Sequence, residues 1–146
     1  MRIYIASKYQ KHIIINREIT DVLTKNGFEV FLQESINNNG ISIEQMKKVE
    51  LIYYKEIEKS DVLLVVSPYK RSVSAEIGYA IRKKLFEKQI KIILFRIQDD
   101  ESEIEDSEAM IVPFLDYFID DYINGDKTVA YKKLLDYLFR LNNSKS

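Results

Sequence analysis

Cysteine is missing from this chain, which removes disulfides, thiolate catalysis and structural zinc. Histidine occurs once, as His12, with no HExxH-like spacing and no clustered carboxylates beside it. That disfavours a Ser-His-Asp machine or a histidine-rich metal site, and no metal or cofactor is expected. Neither sign of charge is in excess: 22 Lys and Arg face 23 Asp and Glu, for a net charge of −1. No global field therefore recruits nucleic acid or a membrane surface. No apolar run approaches the about 18 residues needed to span a bilayer. The opening Met1-Arg2-Ile3-Tyr4-Ile5-Ala6 is too short for the apolar core of a signal peptide and reads as a strand. Repeats, low-complexity linkers and domain boundaries are also lacking, so the expectation is a soluble protein of a reducing, cytoplasmic compartment. What is present is 146 residues with 46% apolar content, enough for one domain, residues 1–146, with a real core.

Strand and helix signals alternate along that length. Ile3 to Ala6 is a short β run. Residues 11–26 carry Ile15, Ile19, Val22 and Leu23 at helical spacing, and Asn26-Gly27 supplies a stop. Phe28 to Leu32 is the second strand, Glu34 to Gly40 an Asn-rich loop, and Ile43 to Lys59 a helix with Met46, Val49, Tyr53 and Ile57 on one face. Asp61 to Val66 is almost wholly apolar, as expected of a strand covered on both faces. Val73 to Glu87 predicts a third helix and Ile90 to Phe95 a fourth strand. Gln98 to Glu108 is an acidic loop or exposed helix, Phe114 to Ile119 a fifth strand, and Thr128 to Leu141 a closing helix. Repeated βα units imply a single-domain α/β fold of the flavodoxin/Rossmann-like kind. Its expected form is a five-stranded parallel sheet in order 2-1-3-4-5 with helices on both faces.

In that architecture ligands bind along the C-terminal edge of the strands, in loops after the first and third. The first is Ser7-Lys8-Tyr9-Gln10 and the second Ser67-Pro68-Tyr69-Lys70-Arg71-Ser72. Neither contains GxGxxG or GxxxxGK[ST], yet both carry a hydroxyl and a cation beside a predicted helix N-terminus. That suits a phosphate or a sugar, although loops are polar in any case. Next comes Ser72-Val73-Ser74-Ala75-Glu76-Ile77-Gly78-Tyr79-Ala80, which places Glu76 in a first helical turn. A carboxylate there can act as a nucleophile on a sugar carbon. It is also explained by the roughly 0.3–1 kcal/mol that a helix dipole offers any acidic residue in that turn.

Four segments together resemble the nucleoside 2-deoxyribosyltransferase family and its relatives, the deoxynucleoside 5′-monophosphate N-glycosidases. They are Tyr4-Ile5-Ala6-Ser7, Gly27-Phe28-Glu29-Val30-Phe31, Ser60-Asp61-Val62-Leu63-Leu64-Val65 and Ser74-Ala75-Glu76-Ile77-Gly78-Tyr79-Ala80. The likeness runs from Met1 to about Phe95. It implies that Glu76 attacks C1′ to give a covalent glycosyl-enzyme, the retaining logic of glycosidases. It implies that Tyr4 orients that nucleophile and that Ser7 contacts the sugar or its 5′ group. Asp61 also matches a recurrent family residue, but it lies at the start of its strand, away from the C-terminal edge, and is read as structural. Lys8, Ser67, Lys70, Arg71, Ser72 and Ser74 are the further expected substrate contacts. A (deoxy)nucleoside or its 5′-monophosphate is the implied partner, with a homo-oligomer in which a neighbouring subunit completes the pocket.

Departures from the family pattern accompany the matches. Tyr53 stands where an acid acting on the leaving base is often found, and its spacing with Met46, Val49 and Ile57 favours a core aromatic. Lys70 stands where transferases often carry Asp and nucleotide hydrolases Ser, which favours a phosphate; a glycine common in the first loop is Ala6. Glu108, within Ser107-Glu108-Ala109-Met110-Ile111, argues the other way. Transfer, hydrolysis and a catalytically silent nucleotide sensor therefore stay open. A flavin or response-regulator module is disfavoured, lacking its Ser/Thr-rich first loop or receiver-type acidic residues.

Overall fold

The computed structural model describes residues 1–7, 12–32, 42–67, 69, 71–86, 90–98 and 117–144, and the side chains of all of these except Met46, Arg71 and Ser72. The order of elements is β1 (Arg2–Ala6), α1 (Ile13–Lys25), β2 (Glu29–Leu32), α2 (Ile43–Lys59), β3 (Val62–Val66), α3 (Arg71–Phe86), β4 (Lys91–Ile97), β5 (Asp121–Gly125) and α4 (Lys127–Asn143). The strands form one parallel sheet in the order β2-β1-β3-β4-β5, as expected from the sequence.

Alternation along the strands divides the core into two layers. Ile3 and Ile5 of β1, Val62, Leu64 and Val66 of β3, and Ile93, Phe95 and Ile97 of β4 pack against Ile19 and Leu23 of α1 and Ala130, Leu134 and Leu138 of α4. On the other side, Tyr4, Ala6, Leu63, Val65 and Ile92 meet Ile57 of α2 and Val73, Ile77 and Ala80 of α3. All five β3 residues are buried because both of its faces are covered, which accounts for the apolar run that marked it.

Helix ends follow local chemistry. Ser42 starts α2 through a capping box with Gln45, each side chain serving the other's main-chain N–H. After α1 the chain turns through Gly27 at a φ of 82°, a left-handed conformation that glycine adopts without steric cost. At the N-terminal edge of the sheet, the Arg2 N–H donates to Asp61 Oδ2 at 2.8 Å and the Asp61 N–H to Arg2 O at 2.9 Å. Asp61 thus ties the start of β3 to the start of β1, the structural role expected of it.

Two expectations are corrected. The fifth strand is Asp121–Gly125 rather than Phe114 to Ile119; residues 117–118 form a turn, and Phe114 lies outside the described residues. Its position is fixed from outside the segment. Asp120 accepts from Lys84 Nζ at 2.6 Å, Lys91 Nζ at 3.0 Å and the Ile92 N–H at 2.8 Å, which brings the next residues alongside β4. Helix α3 begins at Arg71 rather than Val73, so Arg71 and Ser72 belong to its first turn and not to the preceding loop. The buried stripe of α1 is Asn16, Ile19 and Leu23, with Ile15 and Val22 only half-buried. Residues 34–40, read as a loop, and 99–108, read as an acidic loop or exposed helix, lie outside the described residues, as does the segment around Glu108.

Candidate functional site

The C-terminal edge of a 2-1-3-4-5 sheet opens a crevice between β1 and β3, because the crossovers leaving those strands go to opposite faces. That is the case here: α1 covers one face and α3 the other. Several polar side chains gather at this edge, and they are buried. Ser7 directly follows β1, His12 is the N-cap of α1, Asn16 lies in its first turns, and Ser67 directly follows β3. Lys8 and Lys70 lie outside the described residues, as do the side chains of Arg71 and Ser72.

Glu76 is 5% exposed. It sits on α3 between Val73 and Ile77, which face the sheet, and not on the outer side of its helix. Because α3 starts at Arg71, Glu76 is its sixth residue, and the first turn of α3 contains no acidic residue. The dipole effect fades within the first turn, so it does not account for this carboxylate. The ring of Tyr4 is fully buried in the same layer as Val73 and Ile77. It stacks on Phe31 with ring centroids 5.3 Å apart, and Tyr53 meets Phe31 edge-on at 6.5 Å. Tyr53 is therefore a half-buried member of an aromatic row, in keeping with its spacing on α2. Ser67 donates its N–H to Phe95 O at 2.9 Å, which pins the start of the second loop to β4. Ser74 is partly buried within α3.

A buried cation lies two turns further along α3. Lys83 Nζ donates to three carbonyls at the end of α2, those of Ile57 at 3.1 Å, Glu58 at 2.6 Å and Ser60 at 2.8 Å. The last carbonyls of a helix lack intrahelical partners and carry its negative end, so a cation satisfies them directly. This contact fixes α3 lengthwise against α2, and with it the height of Glu76 at the sheet edge.

Asn16 was not among the residues singled out from the sequence, although a signal existed: an asparagine three and seven residues before Ile19 and Leu23 falls on an apolar stripe. Among the described residues no three or more His, Cys, Asp or Glu side chains are arranged to hold a metal ion, and no helix is long and apolar enough to cross a membrane.

Solved structures share this fold. One is a 2-deoxyribosyltransferase from the psychrotolerant bacterium Bacillus psychrosaccharolyticus, with a TM-score of 0.67 and 17% identity over 94% of this chain and 92% of that one. Another is a conserved protein from Enterococcus faecalis V583, with a TM-score of 0.66 and 14% identity over 93% of this chain and 95% of that one. No protein-family profile and no curated protein matches the sequence. At such identities the likeness establishes the α/β fold, which the deoxyribosyltransferase shares almost from end to end.

Proposed function

We propose that the chain, as one domain over residues 1–146, is a nucleoside 2-deoxyribosyltransferase-like enzyme. It cleaves or exchanges the N-glycosidic bond of a (deoxy)nucleoside or its 5′-monophosphate. The observation that carries this reading is the buried Glu76 carboxylate on α3, in the layer of Tyr4, within a fold shared with a 2-deoxyribosyltransferase. A carboxylate shielded from water is costly to keep and strong as a nucleophile when a substrate carbon replaces the solvent.

In this mechanism a Glu76 oxygen attacks C1′ as the bond from C1′ to the base nitrogen breaks. The electron pair of that bond leaves with the base, which takes up a proton. The glycosyl ester then yields either to water, giving the free sugar, or to the nitrogen of a second base, giving a new nucleoside. Tyr4 orients the carboxylate by donating its hydroxyl, and Ser7, Lys8, Ser67, Lys70, Arg71, Ser72 and Ser74 line the sugar and its 5′ group. Tyr53 stands where an acid for the departing base is expected, and it favours a base that departs easily. A cytoplasmic homo-oligomer completes the proposal.

Incubating the protein with a panel of nucleosides and 5′-monophosphates, with and without a second base, tests it. Base release or exchange is expected, with a glycosyl adduct on Glu76 seen by mass spectrometry of quenched enzyme. Replacement Glu76→Gln should lower turnover by about 1,000-fold or more, since nucleophile losses in comparable enzymes reach that scale. Binding without turnover in the unmodified chain would favour the silent sensor, and turnover unchanged in Glu76→Gln would end the proposal.

A further inference from the structure

Asn16 is 1% exposed, and neither its amide nitrogen nor its amide oxygen has a hydrogen-bond partner. Ser7 is 5% exposed, and its hydroxyl likewise has none. Buried polar groups in folded proteins are paired in the great majority of cases, and each exception carries a substantial desolvation penalty. Two such exceptions at one end of the fold call for a reason.

Their placement supplies one. Asn16 shares the stripe of Ile19 and Leu23, so it faces the sheet, and helical side chains lean toward the N-terminus of their helix. For α1 that direction is the C-terminal edge of the strands, where Ser7 follows β1. A third unpartnered group, the hydroxyl of Tyr131, lies on α4 in the same layer, with its ring 5.7 Å from that of Phe95. Helix α4 also starts at this edge and is tied to α1 by Lys127 and Glu18 at 2.6 Å. Among the described residues, the α1 side of this edge thus carries three neutral polar side chains with unpartnered atoms, on the sheet face opposite Glu76.

We infer that Asn16, together with Ser7, binds a neutral part of the ligand that both donates and accepts hydrogen bonds. This rests on the glycosyl-transfer reading of Glu76. Two sources offer such chemistry, a sugar hydroxyl and the amide-like edge of a base. An ionised phosphate offers acceptors only, so it would satisfy the Ser7 hydroxyl and the Asn16 amide N–H groups but leave the Asn16 carbonyl unpaired in a water-poor space. Asn16 is then a specificity residue kept at a cost in stability, as is common where function overrides core packing.

Replacing Asn16 by Leu, of similar size, tests it. Asn16→Leu is expected to melt at a higher temperature than the unmodified chain and to bind nucleosides roughly tenfold more weakly by calorimetry, with kcat changed far less than KM. Nucleosides lacking one hydroxyl each, and a series with altered base edges, identify the source: the analogue missing the contacted group should bind both proteins equally. If Asn16→Leu does not fold, Ser7→Ala carries the same comparison. Unchanged nucleoside affinity, or an equal loss for every analogue, overturns the inference. Absence of any nucleoside or pentose binding by the unmodified chain overturns it as well, whereas binding without turnover overturns only the transfer reading and leaves Asn16→Leu to decide.

Discussion

Removing the charge of Lys83 while keeping its stem, as in Lys83→Met, should be among the most damaging single changes outside the site. Lys83 is 4% exposed, and its ammonium serves the carbonyls of Ile57, Glu58 and Ser60 at 2.6–3.1 Å. A hydrogen bond involving a charged group contributes about 1.5–3 kcal/mol net. Three of them do not add in full, because they share one ammonium whose own burial is a cost that methionine does not carry. A loss of about 3 kcal/mol is the resulting expectation. For a chain of this size a urea slope of about 2 kcal/mol/M converts this to a midpoint lower by about 1.5 M. The melting temperature should fall by roughly 6–12 °C. With ten tyrosines and no tryptophan, tyrosine fluorescence and far-UV circular dichroism are the natural paired probes. A midpoint shift under about 0.3 M, with an unchanged slope, would show that the end of α2 is satisfied without Lys83 and would refute the clamp.

Asp120 should govern stability in acid. Burial pushes its carboxyl pKa up, but hydrogen bonds from Lys84, the Ile92 N–H and Lys91 outweigh that, and the result lies below the ordinary value. A lowered folded-state pKa gives stability that is fully present above the unfolded value, about 3.9, and is lost as pH falls through the folded one. Chemical denaturation across pH 2–7 should therefore show Asp120→Asn to be less stable near neutrality by about 1–2 kcal/mol, with the gap closing at the acid end; a gap independent of pH would refute it. For Tyr4→Phe, which keeps the buried ring and its stack on Phe31, kcat should fall about 10–100-fold, the value of one hydrogen bond to a charged group, with little change in melting temperature. Unaltered kcat would remove Tyr4 from the proposed mechanism.

The fold was legible wherever the signal was local or doubled. Helix α2 was bounded at Ile43 and Lys59 from spacing, and the structure keeps both ends, the first of them set by the local capping box of Ser42 and Gln45. Strand β3 was legible from its apolar run, since coverage on both faces leaves no polar alternation. Strand β5 was not. Only Ile123 and Gly125 of its five residues are buried, as befits an edge strand, and the more apolar stretch before it drew the assignment. What makes Asp121–Gly125 a strand is its register with β4 and the anchor at Asp120, which depend on Lys84 and Lys91 about thirty residues earlier.

The candidate site was legible in its parts and misjudged in its energetics. Glu76 stood out as a possible nucleophile in the helix after the third strand, with the dipole of a first helical turn as its ordinary explanation. The start of α3 at Arg71 moves it beyond that turn, so the ordinary stabilising explanation no longer applies. Asn16 shows the converse. Its stripe position on α1 predicted burial of an apolar residue, and an amide is there without partners. A sequence optimised for stability alone would place a leucine at position 16 and a small apolar residue at position 76. Asn16 lies on the stripe of α1 that covers one layer, and Glu76 lies on α3 beside Val73 and Ile77 of the other. In the glycosyl-transfer reading proposed above, a ligand bound at the β1 and β3 edge would account for both departures at once, and the Asn16→Leu and Glu76→Gln variants test the two sides of that edge separately.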